Sequence, residues 1–212
     1  MRPAFRLQSL LLLVALLLVI ASAFSEGPNF LGTLIYLGVF SVAGYLLGAR
    51  RRWLTAYVSL ALPALAFGIA AAAKGGDGLV IATDVLSMGV QALLIGLVFR
   101  FSLFDQGANR LDRVVAGICG YLILALFWGN LYSIQVTLYP ESILDRGVSG
   151  LERAEGGLIY FSLITLSTVG FGDITPVSPG ARLLTGLQAI AGTLYLAVLI
   201  STLVGSKSRE GN

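Results

Sequence analysis

The chain has 212 residues and no histidine. That removes the commonest metal ligand and the commonest general base. Its single cysteine, Cys119, lies in an apolar run, cannot form an internal disulfide and says nothing of redox compartment. Charge is also scarce: Asp, Glu, Lys and Arg make up 12% of the residues, about half the fraction of a soluble domain. There is no long polar block, so no appended soluble domain is expected. The sequence pI is near 9.2, but the basic residues form neither a long run nor an aromatic-interleaved patch, so no nucleic-acid partner is expected. No nucleophile–base cluster stands out, which argues against an enzyme. No cofactor is expected either.

What is present is apolar. Hydrophobic residues are 57% of the chain and the mean hydropathy is +0.88, which points to an integral membrane protein. A spanning helix needs about 20 mostly apolar residues. Six segments qualify: Leu7–Phe24, Phe30–Ala49, Trp53–Ala73, Leu79–Phe99, Val114–Leu138 and Ala181–Gly205. Pro63 falls mid-segment in the third, where a kink is expected. Gly44 and Gly48 form a GxxxG in the second, which allows close helix contact. Residues 1–23 also fit a cleavable signal peptide, with MRPAF, an apolar core and ASA at 21–23. The apolar stretch is long for one, the helix count works with it retained, and cleavage would not invert the remaining topology.

Placing the N-terminus inside puts Arg2, Arg6, Arg50, Arg51, Arg52, Arg100, Arg110, Arg113, Lys207 and Arg209 in the cytoplasm and leaves four basic residues outside. The positive-inside rule therefore predicts a multi-pass protein of the cell membrane with both termini cytoplasmic. Most acidic residues collect on the other side, Glu152 and Glu155 among them.

The fifth and sixth segments are joined by about forty residues whose pattern changes twice. Residues 138–156 are polar and turn-rich, an outer loop. Gly157–Ser167 is apolar and, at 1.5 Å per residue, spans about 16 Å, half a bilayer. It is too short to cross and should re-enter from outside. TVGFGD, residues 168–173, follows. Non-helical backbone at membrane depth is tolerated only if buried in protein or lining a wet path. Carbonyls of successive residues can face one axis if the backbone alternates in handedness, and Gly170 and Gly172 can take the positive φ this requires. Thr168 can add a hydroxyl oxygen, while Val169 and Phe171 project away and can pack the strand in place.

The motif resembles the selectivity filter of potassium channels, TVG[YF]GD, in which backbone carbonyls replace the hydration shell of the ion. The resemblance covers about Val114–Gly205. It implies K+ as the permeating ion, with K+ held at Thr168, Val169, Gly170 and Phe171 and the filter closed by Gly172. One strand offers one carbonyl per ring, so four chains must surround the axis, a homotetramer embedded in membrane lipids. By the same resemblance Tyr160 braces Asp173 with its hydroxyl, and Ser167 supports the filter from the end of the short helix. Ile164 stands where some members carry a buried glutamate, so filter control through that carboxylate is in doubt. Gly192, in AIAGTL, matches a gating hinge, though membrane helices also use glycine for packing.

The implied fold is all-α: six transmembrane helices plus a re-entrant pore helix and filter loop between the fifth and sixth. Residues 1–106 would form a four-helix membrane domain and 107–212 the pore domain. The fourth segment carries no Arg or Lys, so strong voltage gating is not expected; Asp84, its lone charge, is either an outer-edge contact or part of gating. Gln188 and Thr193 could line the inner cavity or pack between helices. The implied function is a potassium-selective channel. A non-selective cation channel on the same fold is the alternative. A potassium-transporter subunit ranks lower, because such transporters carry four repeats and this chain has one.

Overall fold

The computed structural model describes residues 12–18, 20–21, 51–104, 110–145 and 155–205. Half of the first expected span, all of Phe30–Ala49 with its GxxxG, Glu152 and the tail from residue 206 lie outside the described residues, as does the side chain of Glu155. Residues 12–18 and 20–21 are helical. Five further helices follow: α1 (Arg51–Lys74), α2 (Asp77–Phe104), α3 (Arg110–Leu138), α4 (Glu155–Leu166) and α5 (Pro179–Gly205). Among the described residues four helices are long and apolar enough to cross a membrane, at Thr55–Lys74, Asp77–Ser102, Leu111–Leu138 and Pro179–Thr202. They match the third to sixth expected spans. α1 runs through Pro63 without a break in its helical assignment.

The expectation of an all-α chain is corrected in one place. Ile143–Asp145 (β1) and Ile174–Pro176 (β2) pair antiparallel, with Ile143 opposite Pro176, Leu144 opposite Thr175 and Asp145 opposite Ile174. The pairing continues as Val177 N–H donates to Ser142 O at 2.9 Å. β-branched residues at Ile143, Ile174 and Thr175 suit an extended backbone. The sheet ties the chain just after α3 to the chain just before α5.

Two apolar cores hold the helices together. The first joins Leu12 and Leu16 to Tyr57 of α1, to Val90, Leu94 and Val98 of α2, and to Cys119, Ile123 and Leu126 of α3. Cys119 is wholly buried there, as a small apolar residue would be. The second gathers Tyr132 and Val136 of α3, Phe161 and Ile164 of α4, Ala181 of α5, and Ile143 and Ile174 of the two strands. α5 starts at a Ser-Pro cap: Ser178 Oγ accepts from Ala181 N–H at 3.1 Å, and Pro179 holds the first helical position, where its missing N–H costs nothing.

Polar contacts fasten α2 to α3 as well. Asn130 Nδ2 donates to Gln91 Oε1 at 3.2 Å. Nearer the other end, Arg113 Nε donates to Ser102 O at 2.8 Å and Ser102 Oγ donates to Arg113 O at 3.0 Å. Both Ser102 and Arg113 are buried, so the residue counted as a cytoplasmic charge also anchors two helices.

Candidate functional site

α4 is 12 residues long, about 18 Å at 1.5 Å per residue. That is a little over half the apolar thickness of a bilayer. It ends by folding the following chain back on its last turn. Val169 N–H and Gly170 N–H both donate to Ile164 O, at 2.9 and 3.2 Å, and Thr168 N–H donates to Thr165 O at 3.0 Å. Ser167 Oγ donates to Leu163 O at 2.7 Å, which occupies a carbonyl of the last turn.

The next five residues alternate in handedness. Thr168 has φ 59°, Gly170 φ 52° and Gly172 φ 81°, while Val169 and Phe171 between them do not have positive φ. Alternation of this kind turns successive carbonyls toward the same side of the strand. Among the described residues no hydrogen bond from another backbone N–H is accepted by the carbonyl oxygens of Thr168–Gly172. Positive φ was expected at the two glycines. At Thr168 it is a finding that no residue-type signal announces, because a β-branched side chain resists this conformation.

Val169 and Phe171 are 53% and 71% exposed. The described part of the chain leaves both side chains largely uncovered. Tyr160 of α4 lies under the same segment, and its hydroxyl donates to Asp173 Oδ2 at 2.7 Å. The other carboxylate oxygen of Asp173 accepts from Ile174 N–H at 3.0 Å, at the start of β2. Ile164 is buried in the second core. Among the described residues no group of three or more Asp, Glu, Cys or His could hold a metal ion.

The ion channel family model matches residues 117–206. The voltage-gated potassium channel Kch of Escherichia coli K12 is 46% identical over 80 residues, 38% of this chain and 18% of that protein. Mouse and human potassium voltage-gated channel subfamily A member 10 are each 31% identical over 87 residues, 41% of this chain and 16% of those proteins. Over this region the chain is similar to ion channels, and these relatives are potassium channels. The chain spans less than a fifth of the length of these curated relatives. No solved structure matches it. The resemblance is to a channel rather than to an enzyme.

Within the matched region α4 is gripped from both flanking helices. Tyr121 of α3 donates its hydroxyl to Leu166 O, the last carbonyl of α4, at 2.9 Å. Gly192 of α5 is buried against the same carbonyl, and a Cβ built there would collide with Leu166 O and come within 3.1 Å of Leu166 C. α5 is one unbroken helix through Gly192, so this glycine has a packing reason whatever it does in gating. Gln188 packs between helices: it is fully buried, between Tyr132 and Ser162. Thr193 is exposed, with its hydroxyl bonded to Ala189 O at 2.9 Å. Asp84 is half-buried on α2.

Sequence reasoning missed Tyr121, Tyr132, Ser162 and Tyr195. Tyr195 of α5 donates to Gly117 O at 2.7 Å, and Gly117 and Gly120 have no room for a Cβ against Leu199 and Tyr195. The available signal was the pair of small residues in GICG, residues 117–120. Such a pair marks a close helix contact without naming the partner.

Proposed function

We propose that the chain is a subunit of a homotetrameric potassium-selective channel that conducts K+ passively across the cell membrane. Thr168, Val169, Gly170, Phe171 and Gly172 of each subunit form the filter, and K+ is cargo rather than a cofactor. The observation that carries this reading is the strict alternation of φ at Thr168, Gly170 and Gly172. It is the backbone that a column of inward-facing carbonyls needs. One strand supplies one oxygen per level, so a full coordination shell calls for copies of the chain around a common axis. Val169 and Phe171, bare in the single chain, then find cover on a neighbouring subunit, and so does part of the exposed stripe Leu183, Leu187, Ile190 and Leu194 on α5.

α4 is the re-entrant pore helix of this reading. It is too short to cross, and the β1–β2 pairing returns the chain before α5 to the place where α3 ended, so the intervening segment enters and leaves on one side. The carbonyl end of α4 points its partial negative charge toward the far side of the filter, where it favours a cation. Two further spans in residues 1–50 complete six, and the Lys/Arg bias sets both termini in the cytoplasm. α2 carries no basic residue before Arg100, so opening depends weakly on voltage.

The test is flux from purified protein in liposomes, with K+ and Na+ gradients measured separately and oligomer mass determined in mild detergent. A tetramer that passes K+ in strong preference to Na+ is expected. A tetramer that passes both alike supports the non-selective alternative, and a monomer overturns the filter assignment.

A further inference from the structure

Gln188 lies within α5, a largely apolar helix. A primary amide in such a place costs free energy unless all its polar atoms are engaged. Here they are. Gln188 Oε1 accepts from the Tyr132 hydroxyl of α3 at 2.6 Å. Gln188 Nε2 donates to Ser162 O at 3.0 Å and to Ser162 Oγ at 2.7 Å, both on α4. Ser162 Oγ in turn donates to Ala125 O on α3 at 2.6 Å. Tyr132, Ala125, Ser162 and Gln188 are all fully buried.

The orientation of the amide is dictated by chemistry. Flipped, it would set Oε1 against Ser162 O, two acceptors with no proton between them. The chain of bonds therefore runs one way, from Tyr132 through Gln188 and Ser162 to Ala125, and joins three helices at one point. An apolar side chain of the same volume would fill the space but would take away the bonds that tie α4 to α5 here, leaving its height to Ser162–Ala125 and to the contacts at Leu166 O. Ser162 lies two residues before Ile164, whose carbonyl holds the amides of Val169 and Gly170. Any shift of α4 along its axis carries that carbonyl, and the start of the filter, with it.

From this we infer that Gln188 is a positioning residue for the filter: it fixes the height of α4, and so the conformation of residues 168–170, through Ser162. The inference rests on the reading of Thr168–Gly172 as an ion filter, and the test separates the two. Gln188→Met keeps volume and removes all three bonds. In purified, folded protein, hydrogen–deuterium exchange is expected to quicken about tenfold at Val169 and Gly170, within what the loss of three buried hydrogen bonds can transmit to this segment. Exchange in α2 should stay at the parent rate. In liposomes the ratio of K+ to Na+ flux should fall about tenfold.

Should Gln188→Met fail to fold, Tyr132→Phe takes its place, with the same pattern at about threefold, since one of the three bonds to Gln188 is lost. Faster exchange spread evenly over all helices means ordinary packing and overturns the proposal, as does unchanged exchange at residues 169–170. So does an unchanged flux ratio beside locally quickened exchange. A parent protein without preference for K+ overturns the filter reading instead, and the exchange pattern alone then decides whether Gln188 holds this segment.

Discussion

Tyr160 and Asp173 are joined across the whole TVGFG segment by a hydrogen bond of 2.7 Å between residues 13 apart in sequence. The bond closes the segment into a loop whose base is α4 and whose far end is β2. A hydroxyl donating to a carboxylate is worth about 1.5–3 kcal/mol, and the lower figure applies to this half-buried pair. Tyr160→Phe removes the bond without changing the ring. The lifetime of the conducting state in symmetric potassium should shorten about tenfold. Single-channel recording checks this, and a lifetime equal to the parent's would deny the brace any role.

Gly170→Ala should abolish selective flux. A Cβ at Gly170 meets nothing within 4 Å, so the penalty is in the backbone, not in a clash. At φ 52° an L-side chain costs about 1–2 kcal/mol per chain, repeated in every subunit of the proposed tetramer. The measurement is the K+ to Na+ flux ratio of the variant, after its oligomer mass has been shown equal to the parent's. Selectivity retained in such protein would remove Gly170 from the filter.

Two glycines of α5 should respond to alanine in opposite directions. Gly192→Ala drives a methyl into Leu166 O, and overpacking of this kind costs about 1–3 kcal/mol. Gly186→Ala has open space around it and should stabilise the helix by up to about 1 kcal/mol. Thermal unfolding in one detergent is the comparison. If Gly192→Ala melts no lower than the parent and only its open probability changes, then the glycine serves as a hinge and not as a packing contact.

Opening should depend weakly on voltage. Moving one charge through the whole membrane field is worth about 2.3 kcal/mol per 100 mV. α2 offers Asp84 as its single formal charge between Asp77 and Arg100, and α2 is bonded to α3 through Gln91–Asn130 and Ser102–Arg113. Currents from purified channels in a planar bilayer, stepped over about ±100 mV in symmetric potassium, are expected to show a shallow open probability. A steep sigmoid equivalent to several gating charges would refute this.

Local pattern was enough for much of this molecule. Long apolar runs placed four helices within a few residues of their observed ends, since hydropathy needs no knowledge of partners. The length of Gly157–Ser167 marked a helix too short to cross, and TVGFGD marked the turn after it. Gly170 and Gly172 announced positive φ because glycine is the residue that takes it freely. Thr168 gave no such sign: its φ of 59° accompanies a turn in which Val169 and Gly170 N–H both fold back to Ile164 O, and that turn overrides a β-branched preference.

By itself, then, the amino-acid order determined which stretches are apolar, where α4 ends and which motif follows, because those are properties of neighbours along the chain. Only the tertiary structure decided which polar groups meet. Gln188 could have faced a cavity or a helix, and it became the link between Tyr132 and Ser162 because three helices converge there. Gly192 is buried against Leu166 O for the same reason. The β1–β2 pairing was equally hidden, since three residues per strand carry too little pattern to stand out in a loop and pair only when α3 and α5 bring their ends together. Contacts between residues 13 to 78 positions apart depend on how helices pack, and helix packing is a property of surfaces that no local window contains.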